Sequence, residues 1–205
     1  MTRELVLATT NLGKLRELEK LLGQPSALIL RSALDFPSLT APEETGTTFE
    51  DNAKLKALYY AEKTGLPCVA DDSGLMVDAL GGRPGVYSSR YAPTDSERIA
   101  KLLEEMRDVP DHLRTARFVC AAAFALPGTP PKIVAVERGV LEGSIAREPR
   151  GSHGFGFDPV FFVTELGCNL AEVLPDIKNT LSHRARAFQR LLPTLLEWLH
   201  TPENA

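Results

Sequence analysis

Cysteine is scarce in this chain: Cys68, Cys120 and Cys168 are the only three among 205 residues. They are odd in number, far apart and set in apolar or mixed surroundings. A disulfide framework and a thiolate metal site are therefore both disfavoured. Small buried hydrophobes in a reducing compartment is the plainer reading. The four histidines, His112, His153, His183 and His200, show no ligand spacing, so no zinc site is expected. No apolar run approaches the length of a membrane span. The opening residues Thr2-Arg3-Glu4-Leu5 lack a signal-peptide core. Export and membrane insertion are therefore not expected, and a cytoplasmic location is. An excess of basic charge is missing too. Lys and Arg number 23 against 27 Asp and Glu, a formal net charge of -4, where a dedicated nucleic-acid binder is usually basic. Internal repeats, low-complexity tracts and long linkers are also lacking. What remains is 43% hydrophobic and 24% charged, the balance of a soluble globular protein. The length suits a single domain, 1–205, with or without two lobes.

The order of elements reads as α/β. Glu4–Ala8 is a short buried strand, and Gly13–Leu22 carries helical periodicity through Leu15, Leu18, Leu21 and Leu22. Leu28–Leu30 is a second strand. Thr47 with Glu50 forms a capping box that opens a helix striped by Phe49, Ala53, Ala57 and Ala61, which Gly65 and Pro67 stop. Cys68–Ala70 is a strand. Gly81, Gly82, Pro84 and Gly85 make a loop, and Thr94 with Glu97 opens another helix through Ile99, Leu102, Leu103 and Met106. Ala116–Leu126 and Ile133–Leu141 read as a long-looped hairpin forming a second lobe, and Pro159–Val163 as a strand. Leu181, Ala185, Phe188, Leu192, Leu195 and Leu199 mark a C-terminal amphipathic helix that Pro193 should kink or break. The pattern predicts a mixed sheet flanked by helices.

Five constellations carry chemistry. In Val69-Ala70-Asp71-Asp72-Ser73-Gly74-Leu75 an apolar run ends in two adjacent carboxylates. Placed at a strand end, such a pair is partly desolvated yet within reach of a ligand. In extended chain the two point to opposite faces, one to the site and one to its support. The plain alternative is an acidic turn. Thr9-Thr10-Asn11-Leu12-Gly13-Lys14 lies where a strand gives way to a helix, and the amides there can bind an anion. Lys14 in a first helical turn opposes the dipole, which makes sense beside an anion; a solvated lysine after an ordinary N-cap is the alternative. The segment lacks the Walker A pattern. Glu44, in the acidic loop Glu43-Glu44, could join Asp72 as a hard oxygen ligand for magnesium, which favours a few carboxylates together with phosphates and water. Glu43 reads as solvated. In Gly151-Ser152-His153-Gly154-Phe155-Gly156-Phe157-Asp158-Pro159, glycines allow close backbone approach and one of the two rings could stack on a base. Core packing of both rings is the alternative. Lys178 with Ser182-His183-Arg184 can donate to a base or phosphate, or be a plain charged helix start.

Taken together, these segments resemble the non-standard purine nucleoside triphosphate pyrophosphatases, the inosine triphosphate pyrophosphatase or XTP/dITP diphosphatase family. The resemblance rests on Thr9–Lys14, Glu44-Thr45-Gly46 with Phe49 and Asn52-Ala53, Asp71–Leu75, Gly81-Gly82-x-Pro84-Gly85, Gly154–Pro159 and Ser182-His183-Arg184. It implies an elongated mixed α/β fold with two lobes around a central cleft, usually a homodimer. It also implies magnesium-dependent hydrolysis of ITP, dITP and XTP to the monophosphate and pyrophosphate. By position, Thr9, Thr10, Asn11, Leu12, Gly13 and Lys14 would hold the triphosphate. Glu44 and Asp72 would serve the metal, with Asp72 also the proton acceptor. Ser73, Phe155, Gly156, Phe157, Asp158, Lys178, His183 and Arg184 would bind substrate. Three positions depart from the family's usual residues: Thr10 replaces a smaller residue, His153 a glycine and Phe157 a tyrosine. Two other readings stand beside this one, a pyrophosphatase for other modified nucleoside triphosphates and a nucleotide-binding regulator without turnover.

Overall fold

The structure, a computed structural model, describes residues 2–23 and 28–201. The expected domain, 1–205, reaches past them. Seven strands are β1 (Arg3–Leu7), β2 (Leu28–Ser32), β3 (Cys68–Val77), β4 (Thr115–Leu126), β5 (Lys132–Ile145), β6 (Phe161–Val163) and β7 (Cys168–Asn169). They form one sheet in the order β2-β1-β3-β4-β5-β6-β7. Pairing is parallel for β1 with β2 and β3, and antiparallel for β6 with β5 and β7. The sheet is thus mixed, as expected. Five α-helices accompany it: α1 (Leu12–Leu22), α2 (Phe49–Thr64), α3 (Asp95–Glu105), α4 (Pro175–Leu181) and α5 (His183–His200). No helix among the described residues is long and apolar enough to cross a membrane.

The chain divides into two compact units. The first comprises Met1–Asp72, Cys120–Gly139 and Arg184–Ala205. Its core joins Leu5 and Leu7 of β1, Leu18 of α1, Val69 of β3, Phe124 of β4 and Phe188 of α5. In α2 the apolar stripe Phe49, Ala53, Ala57 and Ala61 is buried as its spacing predicts. Thr48, not Thr47, caps the helix: its hydroxyl accepts from the Asp51 N–H at 3.1 Å. Two adjacent threonines leave the cap ambiguous by one residue, and the run from Phe49 decides it. Gly65, at φ 69°, takes the left-handed turn that ends α2.

The second unit comprises Ser73–Val119 and Val140–His183. Its core includes Leu75, Leu102, Met106, Phe118, Phe157 and Phe161. The Thr94–Glu97 capping box opens α3 as expected. Arg114, buried, donates to the carbonyls of Met106, Ile145 and Ala146. It thereby serves the C-terminal end of α3, where carbonyls lack helical partners and a cation is favoured.

Several expectations need correction. β3 does not stop at Ala70 but carries Asp71, Asp72 and Ser73 within it, because a neighbouring strand overrides the weak strand preference of Asp, Ser and Gly. The β4–β5 hairpin is not a second lobe. Its central part, Cys120–Gly139, belongs to the first unit. The extended segment at Pro159 starts as a 3-10 turn over Asp158–Val160, since proline cannot donate to a ladder. Leu181 closes α4 rather than opening α5, and α5 runs unbroken past Pro193.

Candidate active site

In the first unit, β1 pairs with β3 only at Val6–Cys68 and Leu7–Val69, and the Ala8 N–H donates to the Val69 carbonyl at 2.9 Å. The acidic pair thus begins where β1 gives out. The strand-end argument holds for β1 rather than for β3. Carboxyl ends of parallel strands are where such sheets bind ligands. Being consecutive in a strand, the two aspartates face opposite ways and find different partners.

Asp71, 2% exposed, pairs with Lys14 Nζ at 3.0 Å and Arg184 Nε at 3.3 Å. Cys120 Sγ lies 3.8 Å from the same Oδ2. Burial pushes its carboxyl upward, but Lys14 and Arg184 outweigh that and hold it well below the usual carboxylate range. The same burial drives the Cys120 thiol up, so it stays protonated. Arg184 is also held by Glu17. Its cationic form is favoured despite burial because Asp71 and Glu17 surround it.

Asp72 turns to α2. Its Oδ1 lies 3.3 Å from Lys56 Nζ, which also meets Glu44 Oε1 at 2.8 Å. Its Oδ2 accepts from the Asn52 amide at 3.1 Å. Burial raises the Asp72 carboxyl above its ordinary value, and Glu44 adds to the rise against the pull of Lys56 and Lys14. A carboxylate kept partly reluctant to ionise suits proton acceptance. Burial opposes the Lys56 charge, and Asp72, Asp71 and Glu44 more than restore it.

Glu44 and Asp72, distant in sequence, therefore converge on one cation. Hard oxygen donors gathered around an ammonium fit a small divalent ion completed by phosphate and water oxygens. Among the described residues no group of three or more His, Cys, Asp or Glu side chains is placed to hold a metal ion by itself. Glu43 is exposed, as expected.

The Thr9–Lys14 turn differs in one respect from its expected form. Asn11 caps α1 and its Oδ1 accepts from the Gly13 and Lys14 N–H groups at 2.9 and 3.2 Å. These amides are thus not free for an anion. Lys14 is not a solvated lysine: its side chain is 16% exposed and turned to Asp71. Thr9 is buried and its hydroxyl accepts from the Asn11 N–H, whereas Thr10 and Leu12 are exposed.

In the second unit, Asp158 Oδ2 accepts from Lys178 Nζ at 2.6 Å and from the Phe155 N–H at 2.9 Å. Both side chains of this ion pair are 4% exposed. Gly154 must be glycine here: a Cβ would fall 2.0 Å from Asp158 Oδ2. Phe157 is 3% exposed and packs edge-on to Tyr91 at 6.2 Å. It is a core ring, whereas half-buried Phe155 lies 5.0 Å beneath the Lys178 ammonium. His183 stacks on Phe118 at 4.8 Å. Ser73 is half-buried, and His153 is exposed.

Two polar residues, Lys56 and Asp95, escaped the sequence reading, and a third, Asn52, entered it only through the family resemblance and without a role. Asn52 and Lys56 lie four apart on α2, among positions that alanines already explained. A polar pair inside an apolar stripe was the available signal. Asp95 accepts from the Gly156 N–H at 2.7 Å while holding Arg98 at 2.6 Å. That pairing is far apart in sequence and left no local trace.

The family model of the Ham1 family matches residues 5–194. A dITP/XTP pyrophosphatase of Pseudomonas aeruginosa is 52% identical over 190 residues, covering 92% of this chain and 94% of that protein. One of Geobacillus kaustophilus is 50% identical over 192 residues, 92% of each. The solved structure of a HAM1 protein from Coxiella burnetii superposes with a TM-score of 0.86 at 44% identity, covering 96% of this chain and all of that one.

Proposed function

The chain belongs to the Ham1 family, and from that premise we propose that it hydrolyses dITP, XTP and ITP to the nucleoside monophosphate and pyrophosphate, clearing non-standard purines from the nucleotide pool. The observation that carries this reading is the convergence of Glu44 and Asp72 on one cation beside the Asp71–Lys14 pair. Glu17, Glu44, Asp71 and Asp72 outnumber Lys14, Lys56 and Arg184. A triphosphate brought to such a cluster meets net repulsion unless a divalent cation comes with it. Magnesium held by Glu44 and Asp72 would offset that charge and stabilise the pyrophosphate leaving group.

Asp72 orients a water and takes its proton, a contribution worth about 10²–10⁴-fold. Asp71 keeps Lys14 extended toward the polyphosphate, with Thr9–Lys14 as the turn that meets it. Among the remaining substrate residues, Phe155 is the ring available to stack on the base. Phe157 packs in the core against Tyr91. Ser73, Gly156, Asp158, Lys178 and His183 complete the substrate set. Arg184 gives Nε to Asp71 and Nη1 to Glu17 and so holds Asp71 ionised besides belonging to the substrate set. Discrimination against adenine rests on the 6-oxo edge of hypoxanthine and xanthine. Donors left unpaired by an amino group can reject a ligand by about 10⁴-fold. We further propose that the chain works as one pyrophosphatase domain, as a homodimer and in the cytoplasm.

The test is a panel of nucleoside triphosphates assayed with and without magnesium, with identification of the phosphorus product. Pyrophosphate from dITP, XTP and ITP is expected, with ATP spared. Orthophosphate, or tight binding without turnover, would overturn the reading.

A further inference from the structure

Among the described residues, Asn52 is the only fully buried amide side chain in the acidic cluster of the first unit, at 0% exposure. Both ends of that amide are engaged. Its Oδ1 accepts from the Gly46 N–H at 2.8 Å, and its Nδ2 donates to Asp72 Oδ2 at 3.1 Å. Gly46 lies two residues beyond Glu44, in the loop that brings Glu44 to Lys56. One rigid amide therefore ties the loop carrying one carboxylate to the strand carrying the other.

The surroundings fix this amide in place. Asn52 sits in the first turn of α2, next to fully buried Ala53, and its own N–H bonds the Thr48 carbonyl at 3.2 Å. The Thr48 cap anchors the same turn through Asp51. Gly46 approaches so closely that a Cβ there would lie 2.6 Å from Asn52 Oδ1. The loop can reach the amide only because residue 46 has no side chain. At Asp72, the Asn52 donor claims Oδ2 and leaves Oδ1 turned toward Lys56, which also holds Glu44. A carboxylate with both oxygens free would rotate between partners.

We propose that Asn52 is a positioning residue that sets the spacing and orientation of Glu44 and Asp72 for a divalent cation. This rests on the function proposed above and extends it to a residue that touches neither metal nor substrate. Groups that orient metal ligands in this manner change metal affinity or activity by about 10–100-fold when removed.

The two ends of the amide can be separated by substitution. Asn52→Ala removes both contacts. Asn52→Asp keeps an acceptor for the Gly46 N–H but loses the donor to Asp72. Binding of Mn2+ to the nucleotide-free protein, followed by electron paramagnetic resonance, reads the site without turnover. Asn52→Ala should weaken Mn2+ binding by about 10–100-fold. Its kcat should fall with it, recover in part at high Mn2+, and leave the nucleotide KM at saturating Mn2+ within about twofold of the wild type. Asn52→Asp, nearly isosteric, should fold and lose at least about tenfold in kcat, the lower end of that range. Unchanged Mn2+ affinity and kcat in a folded Asn52→Ala protein would overturn the proposal. So would full turnover by Asn52→Asp, which decides the matter if the alanine variant does not fold. If the wild type itself binds no Mn2+, the metal role of Glu44 and Asp72 fails. If the wild type binds and Asn52→Ala binds equally well, only the Asn52 proposal fails.

Discussion

The two units each bury a lysine–aspartate pair, yet the pairs are built for different ends. In the second unit Asp158 pairs with Lys178 at 2.6 Å, and the Phe155 N–H donates to the same carboxylate. In the first unit Lys14 and Lys56 serve carboxylates that outnumber the cations around them, and Asp72 is pushed toward its neutral form. A balanced buried pair fixes shape and resists change. An unbalanced one waits for charge from outside. On the proposed function, the difference would place reaction chemistry in the first unit and the form of the glycine-rich turn in the second.

Breaking the unbalanced cluster should cost turnover and spare the fold. Asp72→Asn should lower kcat by about 10²–10⁴-fold with its melting temperature at or above that of the wild type, followed by pyrophosphate release and thermal denaturation. Normal activity would remove Asp72 from the mechanism. Breaking the balanced pair should cost the fold first, with substrate binding weakened as well. Lys178→Met takes the Lys178 ammonium away from the buried Asp158 carboxylate and should cost about 3–5 kcal/mol of stability by denaturant titration. A variant as stable as the wild type would dissolve the distinction between the units.

The two rings sharpen the same contrast within the second unit. Phe157→Ala should destabilise by about 3–5 kcal/mol as a core deletion. Phe155→Ala should instead weaken nucleotide binding by about 1–3 kcal/mol, the worth of a stacked base. Exchanged outcomes would put Phe157 on the substrate.

A pH series separates Asp71 from Asp72. The folded Asp71 carboxyl lies below its ordinary value because of Lys14 and Arg184. Its contribution to stability is therefore complete above the unfolded value of about 4 and is lost as pH falls through the lower, folded one. The gap in melting temperature between wild type and Asp71→Asn should be widest near neutrality and narrow below about pH 4. A gap independent of pH would mean that Asp71 acts through packing alone. The smallest effect is expected at Asp95. Untying the Gly156 N–H with Asp95→Ala should raise KM by about fivefold, the equivalent of one hydrogen bond of about 1 kcal/mol, with kcat little changed.

What could be read from the sequence depended on how local each signal was. The Thr94–Glu97 box and the alanine stripe of α2 are contained within a few residues, and both were legible. Asp71 and Asp72 were legible as a pair because adjacency alone places them on opposite faces of a strand. Where β3 ends was not, since partner strands distant in sequence hold Asp, Ser and Gly extended. Lys56 was missed, and Asn52 was named without a role, for a related reason. Their meaning lies in Glu44, Gly46 and Asp72, and only the fold brings these together. The turn from Gly154 to Asp158 told that one ring would be buried, but which one depended on Tyr91.

The most direct test is equilibrium binding of a non-hydrolysable XTP analogue to the wild-type protein, with magnesium and again in excess chelator. An acidic cluster short of positive charge predicts binding that is strong with the ion and at least about 100-fold weaker without it, the equivalent of about 2.7 kcal/mol. Equal affinity in both conditions would contradict it, because Lys14, Lys56 and Arg184 would then suffice to receive the triphosphate alone.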